Sequence, residues 1–474
     1  MEDIAIIFDC GATNIRVVAI DPSGRIEASA STPNQTKEDP TFPGGRIWDL
    51  EEIWEKFCRT SREVTQKIDT NRIRGVSVTT FGADGTFIDE VGHLLTPVIS
   101  WQCGRTAPVM KDIGKYMTLA DLYQETGVFP YNFNTIAKLI WYKENRPEVL
   151  SRASGFLFMP SLIHQKLGNV RINDVTMLGT GMITHHGSRK CSDKVFDALA
   201  IDPSLLGNVA EPGDTVGEVT REAASQTGLP EGIPLIATGH DTQFAMIGSG
   251  AQANQPVLSS GTWEILMTRS FDCTCTNREL KLGITTEFDA VPGMYNIGMN
   301  YMGSGTLEWI RNHFYSGCPE DKCYDIMIKE AEAVPPGSEG VRVNTDFYNA
   351  EGAGPAGAIE GLTLQTTRGH IVRAALEGLS YKMKEALRAV EKAGHFEASS
   401  VICVGGGSRN DLWNQIRADI CGVPVTTIDQ KETTVLGAAM FVFKGIGMFS
   451  SLKEAQVNID YAPTVFHPSG KNLM

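Results

Sequence analysis

Residues 4–16 read Ile-Ala-Ile-Ile-Phe-Asp-Cys-Gly-Ala-Thr-Asn-Ile-Arg, and this stretch decides the fold class. Five consecutive apolar residues, Ile4 to Phe8, suit a strand covered on both faces, because a strand with one wet face would alternate. Asp9 ends the run, Gly11 and Asn14 supply a turn, and Ile15 to Ile20 return as a second strand. Asp21-Pro22-Ser23-Gly24 turns the chain again and Arg25 to Ala30 supply a third strand, so the chain opens with an antiparallel meander. Ile53, Phe57, Val64 and Ile68 then fall on one helical face, and Val76 to Thr80 follow as a strand. The class is mixed α/β.

The pattern returns in the second half. Leu235 to Thr238 is a short strand ending in Gly239-His240-Asp241, and Pro256 to Met267 reads as strand, Gly261 turn, strand. Ser400 to Val404 is a strand that runs into Gly405-Gly406-Gly407, and a helix begins near Asp411 with Leu412, Ile416 and Ile420 in register. A longer helix spans 369–392. The echo predicts an internal duplication: two α/β domains, residues 1–246 and 247–474, whose glycine turns face one cleft. The segment 105–230 offers helical pieces around 135–152 and no motif tied to chemistry.

A chain of 474 residues exceeds what one core organises, which agrees with two domains. Hydrophobic residues make 42% and charged ones 21%, with glycine and proline scattered, which excludes disordered and fibrous classes. The formal charge of -14 argues against nucleic acid or an anionic membrane as the main partner, while small anions remain accessible to backbone amides. No apolar run approaches the roughly 18 residues of a membrane span. Glu2 and Asp3 stand where a signal peptide carries positive charge, so a cytoplasmic protein is expected. The ten cysteines form no C-x-x-C pair, which predicts reduced, mostly buried thiols, and His185-His186 reads as a solvated loop.

Three small-residue loops could carry chemistry. Asp9 with Gly11, Thr13, Asn14 and Arg16 places a carboxylate, turn amides, a hydroxyl and an arginine together, which fits nucleotide phosphates and a metal; an ordinary hairpin accounts for the segment equally well. Ser259-Ser260-Gly261-Thr262 is a second such turn, and Gly405 to Asn410 a third, spread over both halves as a nucleotide held between domains requires. No G-x-x-x-x-G-K-[ST] occurs, and Gly405 to Asn410 lacks the G-x-G-x-x-G spacing, so P-loop and Rossmann readings lose support. Asp241, at the start of a predicted helix, is the best general-base candidate, with a helix cap as its ordinary alternative. Asp84 in Phe81-Gly82-Ala83-Asp84-Gly85 suits a polyhydroxylated ligand or a local turn bond. His240 has no second histidine at helical spacing and reads as a hydrogen-bonding group.

The blocks Asp9 to Asn14, Thr79 to Gly85, Gly239 to Ala245, Ser259 to Met267, Ala374 to Leu379 and Gly405 to Asp419 follow one another in order along nearly the whole chain. Together they resemble the FGGY carbohydrate kinases of the actin-like ATPase superfamily. The resemblance implies two ribonuclease-H-like domains closing over ATP and a sugar, with transfer of the γ-phosphoryl group to a ketose hydroxyl and Mg2+ as the accompanying ion. It implies Asp241 as general base, Asp9 and Asp241 at the magnesium, and Gly11, Thr13, Asn14, Arg16, Gly261 and Thr262 at the phosphates. Gly405, Gly406 and Asn410 resemble adenosine-side positions, and Asn300 with Glu308 a further nucleotide contact. Gly82, His240, Asp241 and Thr242 resemble sugar contacts, to which Asp84 is added on its chemistry.

Two departures from the family pattern stand out: Ala12 replaces the usual Thr or Ser, and Cys103 in Trp101-Gln102-Cys103-Gly104-Arg105 replaces the Asp of Trp-x-Asp-x-Arg. That Asp usually binds sugar hydroxyls, so its loss shifts the expected contacts toward Asp84 and His240. The pattern implies L-fuculose, phosphorylated at C1, with L-rhamnulose or another ketose as the alternative. The non-kinase alternative is an actin-like ATPase without a sugar acceptor. Small molecules are the expected partners, and homo-oligomerisation is left open.

Overall fold

The computed structural model describes residues 2–347 and 357–470. The opening apolar run forms β1 (Ile4–Cys10), buried along its whole length, which pairs antiparallel with β2 (Asn14–Ile20). β3 (Ile26–Pro33) runs three residues past the expected end at Ala30 because its pairing with β2 continues to Asn14 opposite Pro33. Helix α1 (Leu50–Thr65) is capped by the Asp49 side chain and packs Phe57 against Phe8, ring centroids 5.0 Å apart. β4 (Ile73–Thr80) lies parallel to β1, and β5 (Thr215–Glu218) with β6 (Pro234–Ile236) completes a six-stranded sheet ordered β5-β6-β4-β1-β2-β3.

After α2 (Asp241–Gly248) a second sheet is built from β7 (Val257–Ser260), β8 (Trp263–Ser270), β9 (Thr285–Phe288), β10 (Tyr295–Met302), β11 (Val401–Val404), β12 (Val425–Thr427) and β13 (Thr464–Phe466). Its order is β9-β10-β8-β7-β11-β12-β13. Five strands of each sheet repeat one arrangement. β3-β2-β1-β4-β6 and β10-β8-β7-β11-β12 share both order and sense, antiparallel up to the first strand and parallel beyond it. The α/β class and the duplicated hairpin are therefore features of the fold.

Helices α3 (Arg368–Ala393) and α4 (Asp411–Cys421) cover the second sheet, and α5 (Thr433–Gly445) returns to the first, packing on β1 and β4. α2 and α5 cross where both lack side chains. A Cβ at Gly248 would stand 1.9 Å from the Thr433 carbonyl oxygen, and one at Gly437 2.0 Å from that of Phe244. Around this crossing Ile7, Val18, Ile247, Ala438 and Val442 form one buried cluster, so the two sheets share a helical layer, and residue 246 lies inside α2. The segment 105–230 is more regular than its sequence suggests: helices Thr135–Asn145 and Pro147–Arg152 enclose an apolar core with Phe87, Trp141, Phe156 and Phe196, while helix Met159–Gly168 packs Met159, Leu162, Ile163 and Leu167 into the core of the first sheet. No helix among the described residues is long and apolar enough to cross a membrane.

Candidate active site

The two glycine turns differ by one residue in length but are braced alike. Gly11 N–H donates to Asn14 O at 2.9 Å, and the turn is braced from behind by Asn34, whose backbone N–H donates to Thr13 O (2.7 Å) and whose Nδ2 donates to Gly11 O (2.9 Å). In the second turn Gly261 N–H donates to Trp263 O at 3.2 Å, and the brace comes from Gly303 and Ser304, which donate to Thr262 O and Gly261 O at 2.9 Å each. Thr13, Asn14 and Thr262 are left exposed on these turns. The third loop leans on the second: a Cβ at Gly407 would come within 2.0 Å of Ser260 Oγ, and Gly405 takes a left-handed φ of 86°. Gly406 meets nothing within 4 Å, and Asn410 caps α4 through Oδ1, which accepts from Trp413 N–H at 3.0 Å.

Beside the first turn Asp9 accepts from Arg16 Nε at 2.9 Å, and the same guanidinium reaches Glu432 at the start of α5. Burial pushes the Asp9 carboxyl up to about 6 against the pull of Arg16, and the neighbouring acids Asp241 and Glu432 push it the same way. Asp241 opens α2 with its carboxylate accepting its neighbour's N–H, Thr242 N–H, at 2.6 Å. The cap position itself is His240, which removes the cap as an account of Asp241. Burial raises the Asp241 carboxyl too, opposed by His240.

Three cavities meet here. One of about 450 Å³ is lined by Asp241, Thr242, Gly405, Gly406 and Lys431. A second, about 340 Å³, shares Asp241 and Thr242 with it and extends to Gly82, His240, Glu287 and Trp101. The third, about 760 Å³, joins the first at Gly406 and Arg409 and reaches Gly261, Asn410 and Tyr324. Asp241 therefore stands between a small cavity with an aromatic wall and a larger space running under the second and third loops.

In the small cavity His240 is seated by absence: a Cβ on Gly82 would press within 2.7 Å of Nε2. Its Nε2 lies 3.5 Å from Asp241 Oδ1 and its Nδ1 3.6 Å from Glu287 Oε2. Burial alone would lower the imidazole, but Glu287, Asp241 and Asp174 carry its pKa above the ordinary value. Glu287 is held in turn by Gln243 Nε2 at 2.7 Å. Opposite stand Trp101, Tyr131 and Phe133, with the last two rings stacked 4.9 Å apart.

Asp84 departs from expectation. It is wholly buried and outside the cavity wall: Oδ2 accepts from Trp48 Nε1 (2.7 Å) and Trp101 N–H (2.9 Å), and Oδ1 from Lys138 Nζ. Burial raises its carboxyl, with Lys138 opposing. Both oxygens are engaged by protein donors, so Asp84 holds Trp101 and, through Lys138 Nζ donating to Ala83 O at 2.8 Å, the left-handed Ala83 (φ 65°) in place rather than facing a hydroxyl. Asn300 also departs, lining the small cavity because β10 sets it opposite Ile265. Glu308 is occupied by Tyr324 Oη (2.7 Å) and Arg311 at the rim. Cys103 is buried and accepts from Arg105 Nε at 3.1 Å and Arg46 N–H at 3.3 Å, away from the cavity.

Lys138 and Glu287 were not singled out from sequence. For Lys138 a signal exists: a lysine inside Thr135-Ile136-Ala137-Lys138-Leu139-Ile140-Trp141-Tyr142 has no wet face and needs a buried acid. Glu287 carries no such mark.

Residues 4–248 match the N-terminal domain of the FGGY family of carbohydrate kinases, and residues 257–445 its C-terminal domain. An L-fuculokinase of Escherichia coli strain K12 is 42% identical over 467 residues, covering 98% of either chain. One from Haemophilus influenzae is 41% identical over 460 residues, 96% of this chain and 97% of its own. A xylulose kinase from Rhodospirillum rubrum, 21% identical, has the same fold with a TM-score of 0.88 over 99% of this chain and 94% of that one. Both domain matches fall on the two repeated sheets that bracket Asp241, and the chain belongs to the FGGY family of carbohydrate kinases.

Proposed function

We propose that the protein, acting in the cytoplasm, transfers the γ-phosphoryl group of ATP to the C1 hydroxyl of L-fuculose. The observation that carries this reading is the position of Asp241, shared by the sugar-sized cavity and the larger one. The names of the relatives at 41–42% identity supply the acceptor. The sugar is a 6-deoxy ketose, and the small cavity has matching faces: His240, Glu287 and Asn300 for hydroxyls, and Trp101, Tyr131 and Phe133 for the apolar methyl end.

In the reaction, Asp241 accepts the C1 proton as the hydroxyl oxygen forms its bond to the γ-phosphorus and the bridge to the β-phosphate breaks, leaving ADP. The raised pKa of Asp241 suits a proton acceptor better than an ordinary exposed carboxylate would. Thr13, Asn14 and Thr262 with their turn amides receive phosphate oxygens, and Arg16 offers a fixed positive charge. Gly405, Gly406 and Asn410 take the adenosine side. Asp9 and Asp241 would hold magnesium: two buried carboxylates, the second raising the pKa of the first, beside a phosphate site, match its preference for few protein oxygens. When bound, the ion would neutralise charge on the phosphates. The halves 1–246 and 247–474 are proposed to close about the α2–α5 layer and exclude water.

A screen of ADP release tests this, with L-fuculose, L-rhamnulose, D-ribulose, D- and L-xylulose and glycerol. L-Fuculose should give the highest kcat/KM by about tenfold or more, and phosphorus NMR should place the ester on C1. A preference for L-rhamnulose overturns the acceptor and keeps the kinase; ADP release indifferent to every sugar favours an actin-like ATPase.

A further inference from the structure

We propose that His186, Cys273 and Cys275 form a binding site for a soft divalent cation, zinc above all, that ties the two halves of the chain together at the edge of the small cavity. One ring nitrogen of His186 and the two thiol sulfurs all lie within 4.8 Å of one another. On a tetrahedral zinc such atoms stand about 3.5–3.8 Å apart, given bonds of about 2.0–2.3 Å, so small side-chain movements complete the set. Two thiols and an imidazole, with no carboxylate among them, are zinc ligands and not magnesium or calcium ligands. Binding releases the two thiol protons, and the fourth position is left to water.

The ligands are fixed by backbone, not by chance side-chain approach. His186 follows the short strand Thr184–His185; its N–H and Nδ1 both lie 3.1 Å from Glu125 O, and the tautomer that donates there leaves Nε2 as the lone pair for a metal. Cys273 and Cys275 are alternate residues of the segment after β8, which Thr274 anchors by donating its N–H to Ala393 O at 2.8 Å. Between the two groups the seam is stitched: Thr286 N–H donates to Gly127 O (2.8 Å) and Tyr123 Oη to Ile284 O (2.9 Å). Thr285 and Glu287 of β9 line the small cavity while Thr286, between them, belongs to this seam, so a metal here would hold β9 from behind.

The test uses the full chain, chelator-treated and kept reduced. Titration with cobalt should give one thiolate-to-cobalt charge-transfer band, lost on adding one equivalent of zinc. Cys273→Ser/Cys275→Ser should weaken cobalt and zinc binding by about 100-fold or more, and His186→Asn by about tenfold or more, with circular dichroism unchanged. Zinc at about a hundredfold over its wild-type Kd should raise the Tm most in the wild type, less in His186→Asn and least in the double cysteine variant. Absence of the band in the wild type at millimolar cobalt overturns the site, as does a band of equal strength and affinity in the double cysteine variant. Should the cysteine variant fail to fold, unchanged binding in His186→Asn overturns it instead.

Discussion

The two hairpins at the head of the two sheets are one device used twice, and they differ in where their acid goes. In the first, Asp9 lies opposite Arg16, and the pair opens toward the cleft, with Arg16 shared by Glu432. In the second, Glu264 lies opposite Ser260, accepts its hydroxyl at 2.7 Å, and is sealed against Arg417 with both side chains at 0% exposure. Arg417 stacks on Trp413, its guanidinium carbon 3.6 Å from the ring centre. The repeated hairpin has therefore divided its acids between strands: Asp9 on the first strand opens toward the cleft, and Glu264 on the second strand of a turn one residue tighter holds the frame under the second and third loops.

Four predictions sharpen or break that contrast. The largest concerns the group between the two hairpins. Asp241→Asn should lower turnover by about 10²- to 10⁴-fold while calorimetric ATP affinity stays within a few-fold, because it removes proton acceptance and no adenosine contact. Near-normal turnover would take Asp241 out of the base role.

Next comes the sealed acid. Arg417→Met leaves Glu264 buried without its cation and should cost about 3–5 kcal/mol, read from the urea midpoint. A cost below about 1 kcal/mol would mean that the second turn does not depend on the pair.

The other sealed pair, Asp84–Lys138, separates framing from recognition. Asp84→Ala should lower kcat/KM for the sugar by about 10- to 100-fold by releasing Trp101, and should also destabilise the protein by stranding Lys138. Adding Lys138→Met should recover stability but not sugar use. Recovery of both would reduce Asp84 to a stabilising residue.

The smallest effect belongs to Asp9. Its carboxyl sits at about 6 when folded against 3.8 ordinarily, so the stability it contributes is present below pH 3.8 and lost as pH rises through 6. Asp9→Asn should accordingly raise stability by about 1–3 kcal/mol at pH 8 and leave it unchanged near pH 4, in protein free of nucleotide and magnesium, while turnover falls. Equal stability of variant and wild type at pH 8 would show that burial does not penalise the ionised Asp9 carboxylate.

Local signals were enough for the hairpins, for the strand foreseen at Val76 to Thr80 and found at Ile73–Thr80, and for the long helix, foreseen at 369–392 and found at Arg368–Ala393. Asp241 was legible because a strand, a glycine and a helix start converge on it. Asp84 was legible as a special residue but not as a buried one, since its partner Lys138 lies 54 residues away and neither segment names the other. The His186, Cys273 and Cys275 group escaped for the same reason: a histidine in an apparent loop and a C-x-C pair mean little until the seam brings them together.

By itself the sequence determined the hairpins, the long helix, the duplication and the family, because apolar periodicity, turn residues and motif spacing act over short stretches of chain. Tertiary structure alone decided which charges meet. Arg16 and Glu432 are 416 residues apart, and Glu264 and Arg417 are 153 apart. It also decided that α5 crosses α2 at Gly248 and Gly437 to rest on the first sheet. A buried charge must be neutralised by whatever packing places beside it, and that choice is made by the closing of two sheets around shared helices, not by any residue's neighbours in sequence.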